Sequence, residues 1–175
     1  MGSEKGLAVF GGKPLIHYAL DVMIPLCDEI LISSNSESYH NLEYEVIPDE
    51  YPGIGPMGGI YSCLNRSKNE INLVLSCDMP FVTVELFRCL LLKRGNSMIC
   101  VPWYVKDHFE PLCGIYHKDV VKDMHMFILK KNYKLPDLFM QVAFMPVNVN
   151  ELCPDRDRDC FININSPEDL RKYNF

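Results

Sequence analysis

Apolar runs alternate with amphipathic stretches along the whole chain, without a sustained linker or an internal repeat. Residues 7–10 form a short extended run closed by Gly11 and Gly12. Pro14 opens a helical pattern, because proline is tolerated in a helix's first turn. Leu15, Tyr18, Ala19, Val22 and Met23 then recur at helical spacing, up to Pro25. Residues 29–33 read as a buried strand, and residues 44–47 as another that ends at Pro48-Asp49. A loop rich in Gly and Pro, 48–56, leads into a helix over 57–66. The run 71–76 is the clearest strand and breaks at Cys77-Asp78-Met79-Pro80. Thr83 is placed to cap a helix reaching residue 92. Strands are predicted over 98–102 and 111–116, then helices over 120–130 and 135–140, then an extended piece over 142–145. Residues 161–165 are the last predicted extended piece, and Ser166-Pro167-Glu168-Asp169 is a helix start. This alternation predicts an α/β fold with a mostly parallel sheet.

Composition narrows the class. The 175 residues suit one domain, 1–175, large enough to bury a core without disulfide or metal staples. Hydrophobic residues make up 48% and charged residues 23%, which is globular and not disordered. The net charge of −6 argues against non-specific nucleic-acid binding but leaves room for a local basic site. None of the eight cysteines forms a C-x-x-C pair, so they read as reduced core thiols of a cytosolic protein. The N-terminus has no apolar signal core, and no apolar run approaches ~18 residues. The expectation is a cytoplasmic protein with no membrane association.

In an open α/β sheet, ligands bind outside the carboxyl ends of the strands. That rule selects Asn35, Asp49 and Asp78, with Asn163 and Asn165 near the last extended piece. Asp78 follows a buried strand and is held in a turn by Pro80; it either holds a hard cation such as Mg²⁺ or caps the next helix. The glycines 53, 55, 58 and 59 either let backbone approach a ligand at a helix N-terminus or merely make a turn. Lys5 is either a phosphate contact or a solvated surface lysine. Asn163 and Asn165 alternate with Ile162 and Ile164, so they share one strand face, polar either for a ligand or for water. Residues 108–112 carry His and Glu without a nucleophile elbow, which sets a hydrolase aside. The mixed-sign run 155–159 reads as a solvated turn.

Taken in order, these motifs resemble a known family. Met1-Gly2, Lys5, Leu7 and Gly12-Lys13-Pro14-Leu15 are similar to the tail of the N-terminal signature of MobA-like nucleotidyltransferases. Ile47-Pro48-Asp49, Gly55-Pro56-Met57-Gly58-Gly59 and Cys77-Asp78-Met79-Pro80 follow in place. Phe161, Asn163, Asn165 and the run 166–170 narrow the likeness to the molybdenum cofactor guanylyltransferases. The resemblance spans the whole chain and implies a Rossmann-like three-layer fold. It implies transfer of GMP from GTP to the molybdopterin phosphate, with release of pyrophosphate and dependence on Mg²⁺. On matching positions Asp78 would bind Mg²⁺ and Lys5 the GTP phosphates, the two carrying catalysis. Asn35, Asp49 and Gly58 would lie on the guanine-nucleotide side, and Asn163 and Asn165 would face the pterin or the reacting phosphate. Proteins that mature molybdoenzymes would be the partners.

Two departures stand out. The family begins with an apolar strand and a loop of the type L-A-G-G-x-S-x-R before its Met-Gly, whereas this sequence starts at the Met-Gly. The N-terminal strand is thus expected to be missing, with unpaired edges on the strands around Ile30 and Ile71. Around residues 131–134, where the family can carry arginine, lysine, asparagine and tyrosine stand instead. The alternative readings are a cytidylyltransferase, another small-molecule nucleotidyltransferase, or a non-catalytic truncated remnant.

Overall fold

A computed structural model describes residues 4–105, 108–148, 150 and 158–173. A turn at Lys5–Leu7 leads into β1 (Val9–Phe10), which pairs antiparallel with β2 (Lys13–Pro14). Helix α1 (Leu15–Met23) follows, then β3 (Leu31–Ser33) and β4 (Glu45–Ile47), which pair in parallel. Helix α2 (Pro56–Arg66) precedes β5 (Ile71–Leu75), and α3 (Val84–Lys93) precedes β6 (Ile99–Val105). Next come β7 (His108–Phe109), β8 (Cys113–His117), α4 (Val121–Leu129), α5 (Leu135–Phe139), β9 (Phe144–Asn148) and α6 (Pro167–Tyr173).

Apart from the extended piece at 161–165, the predicted elements are present with small shifts at their ends. Thr83 caps α3 as expected, its hydroxyl accepting from Leu86 N–H at 3.4 Å. Ser166 caps α6 by accepting from Asp169 N–H at 3.1 Å, and Asp169 accepts in return from Ser166 N–H at 2.9 Å. Two expectations need correction. The main sheet is mixed: β5–β8, β8–β6 and β6–β7 are antiparallel, and β6–β9 is parallel. A short connection without a helix reverses the chain from β6 into β7, and β8 continues in the direction of β7, so both run antiparallel to β6. Residues 161–165 are not a strand. Arg158–Phe161 is a 3-10 turn, and 162–165 run on without a ladder partner. The run 155–159 lies mostly outside the described residues, as does Cys153; none of the seven described cysteines is in a disulfide.

The sheet is sandwiched, which gives three layers. On one face Val22 and Met23 of α1 and Leu86, Phe87 and Leu90 of α3 pack on Cys100 and Ile115. On the other, Ile60 and Leu64 of α2 and Met124 of α4 pack on Ile99, Val101 and Tyr116. Strand β8 is paired on both sides, and Cys113 through Tyr116 are buried. Strand β5 is an edge, and all its residues are half-buried. The β3–β4 pair forms its own sheet, packed on α1 through Ile16, Leu20 and Ile32. A cavity of about 980 Å³ separates β3 from β5. Among the described residues, β3 pairs with β4 and β5 with β8, and no strand joins the two across the cavity. Among the described residues no helix is long and apolar enough to cross a membrane.

Candidate active site

Asp78 is positioned by the end of β5. Ser76 N–H still donates to Leu112 C=O at 2.8 Å, after which the chain turns and Met79 N–H donates to Ser76 C=O at 3.4 Å. Asp78 C=O accepts from Ile164 N–H at 2.8 Å, so the segment before α6 is stitched to the strand end. Ile164 is itself fully buried against Phe10 and Leu15. The Asp78 side chain is 13% exposed, and Lys5 forms an ion pair with its Oδ2. Lys5 also donates to Asn165 Oδ1. The other carboxylate oxygen, Asp78 Oδ1, is buried and has no hydrogen-bond partner. A buried oxygen of a charged group left unpaired is costly, so this one calls for a cation or a donor. Asp78 therefore does not cap the following helix; Thr83 does.

A second cluster lies at the ends of β3 and β4. Asn35 Nδ2 donates to Asp49 Oδ2 at 3.1 Å, and Asp49 N–H donates to Asn35 Oδ1 at 2.8 Å. The glycine loop abuts this pair. Gly55 has φ +71, a left-handed conformation that suits glycine, and it starts α2. At Gly59 a Cβ would collide with Ser33 Oγ and stand 3.5 Å from Asp49 Oδ1. At Gly58 a Cβ would lie 2.8 Å from the backbone oxygen of Tyr51. These contacts bring the positive N-terminal end of α2 against the Asn35–Asp49 pair.

Several supports were not foreseen. Ser62 donates to Gly58 C=O at 2.8 Å and accepts from Glu50 N–H at 2.9 Å, tying the loop to α2. Tyr51 OH meets His125 Nε2 at 3.2 Å, and His125 stacks on Tyr61. Residue 125 is 74 positions from Tyr51, so no local pattern announces it. The structure brings Lys5, Asp78 and Asn165 into one cluster and Asn35, Asp49 and the glycine loop into another. Asn163 stands apart: its amide donates to Phe161 C=O at 3.3 Å, and it shares no strand face with Asn165.

A thiol backs each cluster. Burial pushes the Cys77 thiol up to about 11, with the adjacent Asp78 charge raising it further and Lys5 opposing. Burial likewise pushes Cys63 up to about 11, opposed by a hydrogen bond with Ser33 and assisted by Asp49. Both are neutral near pH 7 and are not nucleophiles there. The site offers an ammonium, a carboxylate with one open oxygen and a helix N-terminus. That is equipment for positioning phosphates, and it contains no activated thiol for covalent catalysis.

Comparison with known proteins agrees with this geometry. Residues 1–141 match the MobA-like NTP transferase domain. A Flavobacterium johnsoniae protein named probable molybdenum cofactor guanylyltransferase is 34% identical, over 99% of this chain and 90% of its own. The crystal structure of molybdopterin-guanine dinucleotide biosynthesis protein A from Archaeoglobus fulgidus superposes with a TM-score of 0.83 at 25% identity. That match covers 99% of this chain and 90% of the other. A cytidylyltransferase acting on 2-C-methyl-D-erythritol 4-phosphate, from Thermus thermophilus, has a TM-score of 0.73 at 17% identity, covering 98% and 92%; it shares the fold. Fold and site together define a nucleotidyltransferase enzyme with a Rossmann-like α/β architecture. More closely, the chain belongs to the MobA-like NTP transferase family.

Proposed function

We propose that the protein transfers GMP from GTP to the phosphate of molybdopterin in the biosynthesis of the molybdenum cofactor. A phosphate oxygen of the acceptor attacks the α-phosphorus of GTP. The bond from that phosphorus to the bridging oxygen breaks, and pyrophosphate leaves with its electron pair. The observation that carries the reading is the cluster of Lys5, Asp78 and Asn165, with Asp78 Oδ1 open and buried.

Mg²⁺ fits this chemistry. Among the described residues no three His, Cys, Asp or Glu side chains converge on a metal. Asp78 would be the protein's carboxylate ligand, and Mg²⁺ is commonly held by one or two carboxylates together with substrate phosphates. When bound, the ion supplies charge neutralisation at the phosphates. Lys5 has three N–H donors; two go to Asp78 and Asn165, which leaves one for a phosphate oxygen. Asn165 Oδ1 is taken by Lys5, so its amide N–H groups are the part that faces the acceptor. Asp49 and Asn35 would read the guanine edge, whose adjacent N–H donors suit a carboxylate, while Gly58 keeps the loop close to the base.

The test is a product analysis. The protein is incubated with Mg²⁺, molybdopterin and equal GTP and CTP, and the products are resolved by mass. The expected product is the GMP adduct. A CMP adduct, or none, overturns the reading.

A further inference from the structure

The glycine loop at the base end of the site is held partly by a helix far away in sequence. Past Asp49, Glu50 is tied to α2: its N–H donates to Ser62 Oγ and its Oε1 accepts from Asn65 Nδ2, each at 2.9 Å. Tyr51 is tied to α4 instead, its hydroxyl meeting His125 Nε2 at 3.2 Å. Among the described residues this is the one hydrogen bond that joins residues 50–55 to an element other than α2. Either ring tautomer allows it, since a hydroxyl both donates and accepts.

Three rings fix the geometry of that contact. Tyr51 meets Tyr61 edge to face with centroids 5.5 Å apart. His125 stacks on Tyr61 at 5.9 Å, with the planes 30° apart. Tyr61 is buried on α2, and His125 follows the buried Met124 on α4. The Tyr51 ring is thus held between two helices that both pack on the sheet. A phenylalanine would make the same ring contacts; the hydroxyl adds a directional bond that sets where the ring stops.

The Tyr51 backbone passes this constraint to the site. Its carbonyl oxygen lies 2.8 Å from where a Cβ of Gly58 would stand, in the first turn of α2. A Cβ on the next residue, Gly59, would meet Ser33 Oγ and lie 3.5 Å from Asp49 Oδ1. Loop, helix start and the Asn35–Asp49 pair therefore meet with no room for a side chain between them. Gly53 and Gly55, at φ +80 and +71, have open space where their Cβ atoms would be, so their part of the loop has little packing to hold it.

We propose that His125 is a positioning residue for the base of the nucleotide: through the Tyr51 hydroxyl it holds the glycine loop against the Asn35–Asp49 pair. It touches neither the reacting phosphates nor the metal, so it acts on nucleotide binding and leaves the transfer step alone. The inference rests on a nucleoside triphosphate occupying this site, but not on which base it carries.

The test compares the wild type with Tyr51→Phe, His125→Phe, the double variant and His125→Gln, whose side-chain amide can reach the place of Nε2. Each full chain is assayed for pyrophosphate release with Mg²⁺, molybdopterin and whichever of GTP and CTP the wild type prefers. Tyr51→Phe and His125→Phe are each expected to raise KM for the nucleotide about tenfold, with kcat within about twofold and an unchanged urea midpoint. The double variant is expected to be no worse than either single one, and His125→Gln to stay within about threefold of the wild type. An unchanged KM in Tyr51→Phe overturns the proposal. So do multiplying effects in the double variant, a fall in kcat as large as the rise in KM, or a His125→Gln protein as impaired as His125→Phe. A wild type that prefers CTP overturns the guanine reading alone, and the same comparison then decides the role of His125 with CTP. Turnover of neither nucleotide overturns both, since a loop that serves no nucleotide positions none.

Discussion

The two clusters at the strand ends are built in opposite ways. Lys5, Asp78 and Asn165 come from segments 73 and 160 residues apart and carry a full ion pair with one carboxylate oxygen left open. Asn35 and Asp49 are 14 residues apart, follow the ends of neighbouring parallel strands and are joined by two hydrogen bonds. The first cluster is unfinished without a ligand, and the second is pre-arranged. Such a contrast suits a nucleotide: the end where charge moves needs open valences, and the end that recognises the base needs fixed geometry.

Substitutions should separate the clusters by kind and by size. Asp78→Asn keeps the shape and removes the charge; pyrophosphate release is expected to fall by about 10³-fold, with an unchanged urea midpoint. Lys5→Met removes the proposed phosphate contact and the partner of Asp78, and is expected to cost about 10²-fold in kcat. Asp49→Asn should leave kcat for GTP within about threefold while narrowing the preference for GTP over CTP by about tenfold, read as a ratio of kcat/KM values. A loss of kcat at Asp49 as large as at Asp78 would erase the distinction. Ser166→Ala removes the cap of α6 and is expected to cost about 1 kcal/mol in urea unfolding, with a small loss of activity as Asn165 loosens.

The paired thiols add a pH test common to both clusters. Cys63 and Cys77 are raised from an ordinary 9.0 to about 11, so the fold favours their neutral forms. Their contribution to stability is present in full below pH 9 and is lost as the pH rises toward 11. The urea midpoint should fall across that window, and less so in a Cys63→Ala, Cys77→Ala double variant.

Sequence reading reached these clusters unevenly. Asp49 and Asp78 were legible because each ends an apolar run, where the strand-end rule applies. Lys5 was visible as a residue but not as Asp78's partner, since pairing across 73 positions leaves no local period. The alternation of Asn163 and Asn165 with isoleucine has the period of a strand, but the reciprocal Ser166–Asp169 cap and the burial of Ile164 fix that segment as an irregular lead into α6. The antiparallel pairs were missed by counting alternations, although no helical pattern separates 98–102 from 111–116. The run 71–76 gave β5 correctly, but its half-burial depends on which neighbour lies beside it, which no local pattern encodes.

The assignment of the charged cluster to the metal and phosphates meets its most direct test in GTP binding with and without Mg²⁺, measured by calorimetry on the wild type, Asp78→Asn and Asp49→Asn. The account predicts that Mg²⁺ tightens GTP binding in the wild type and in Asp49→Asn, and that this gain vanishes in Asp78→Asn. An Asp78→Asn protein that keeps the full gain would contradict it.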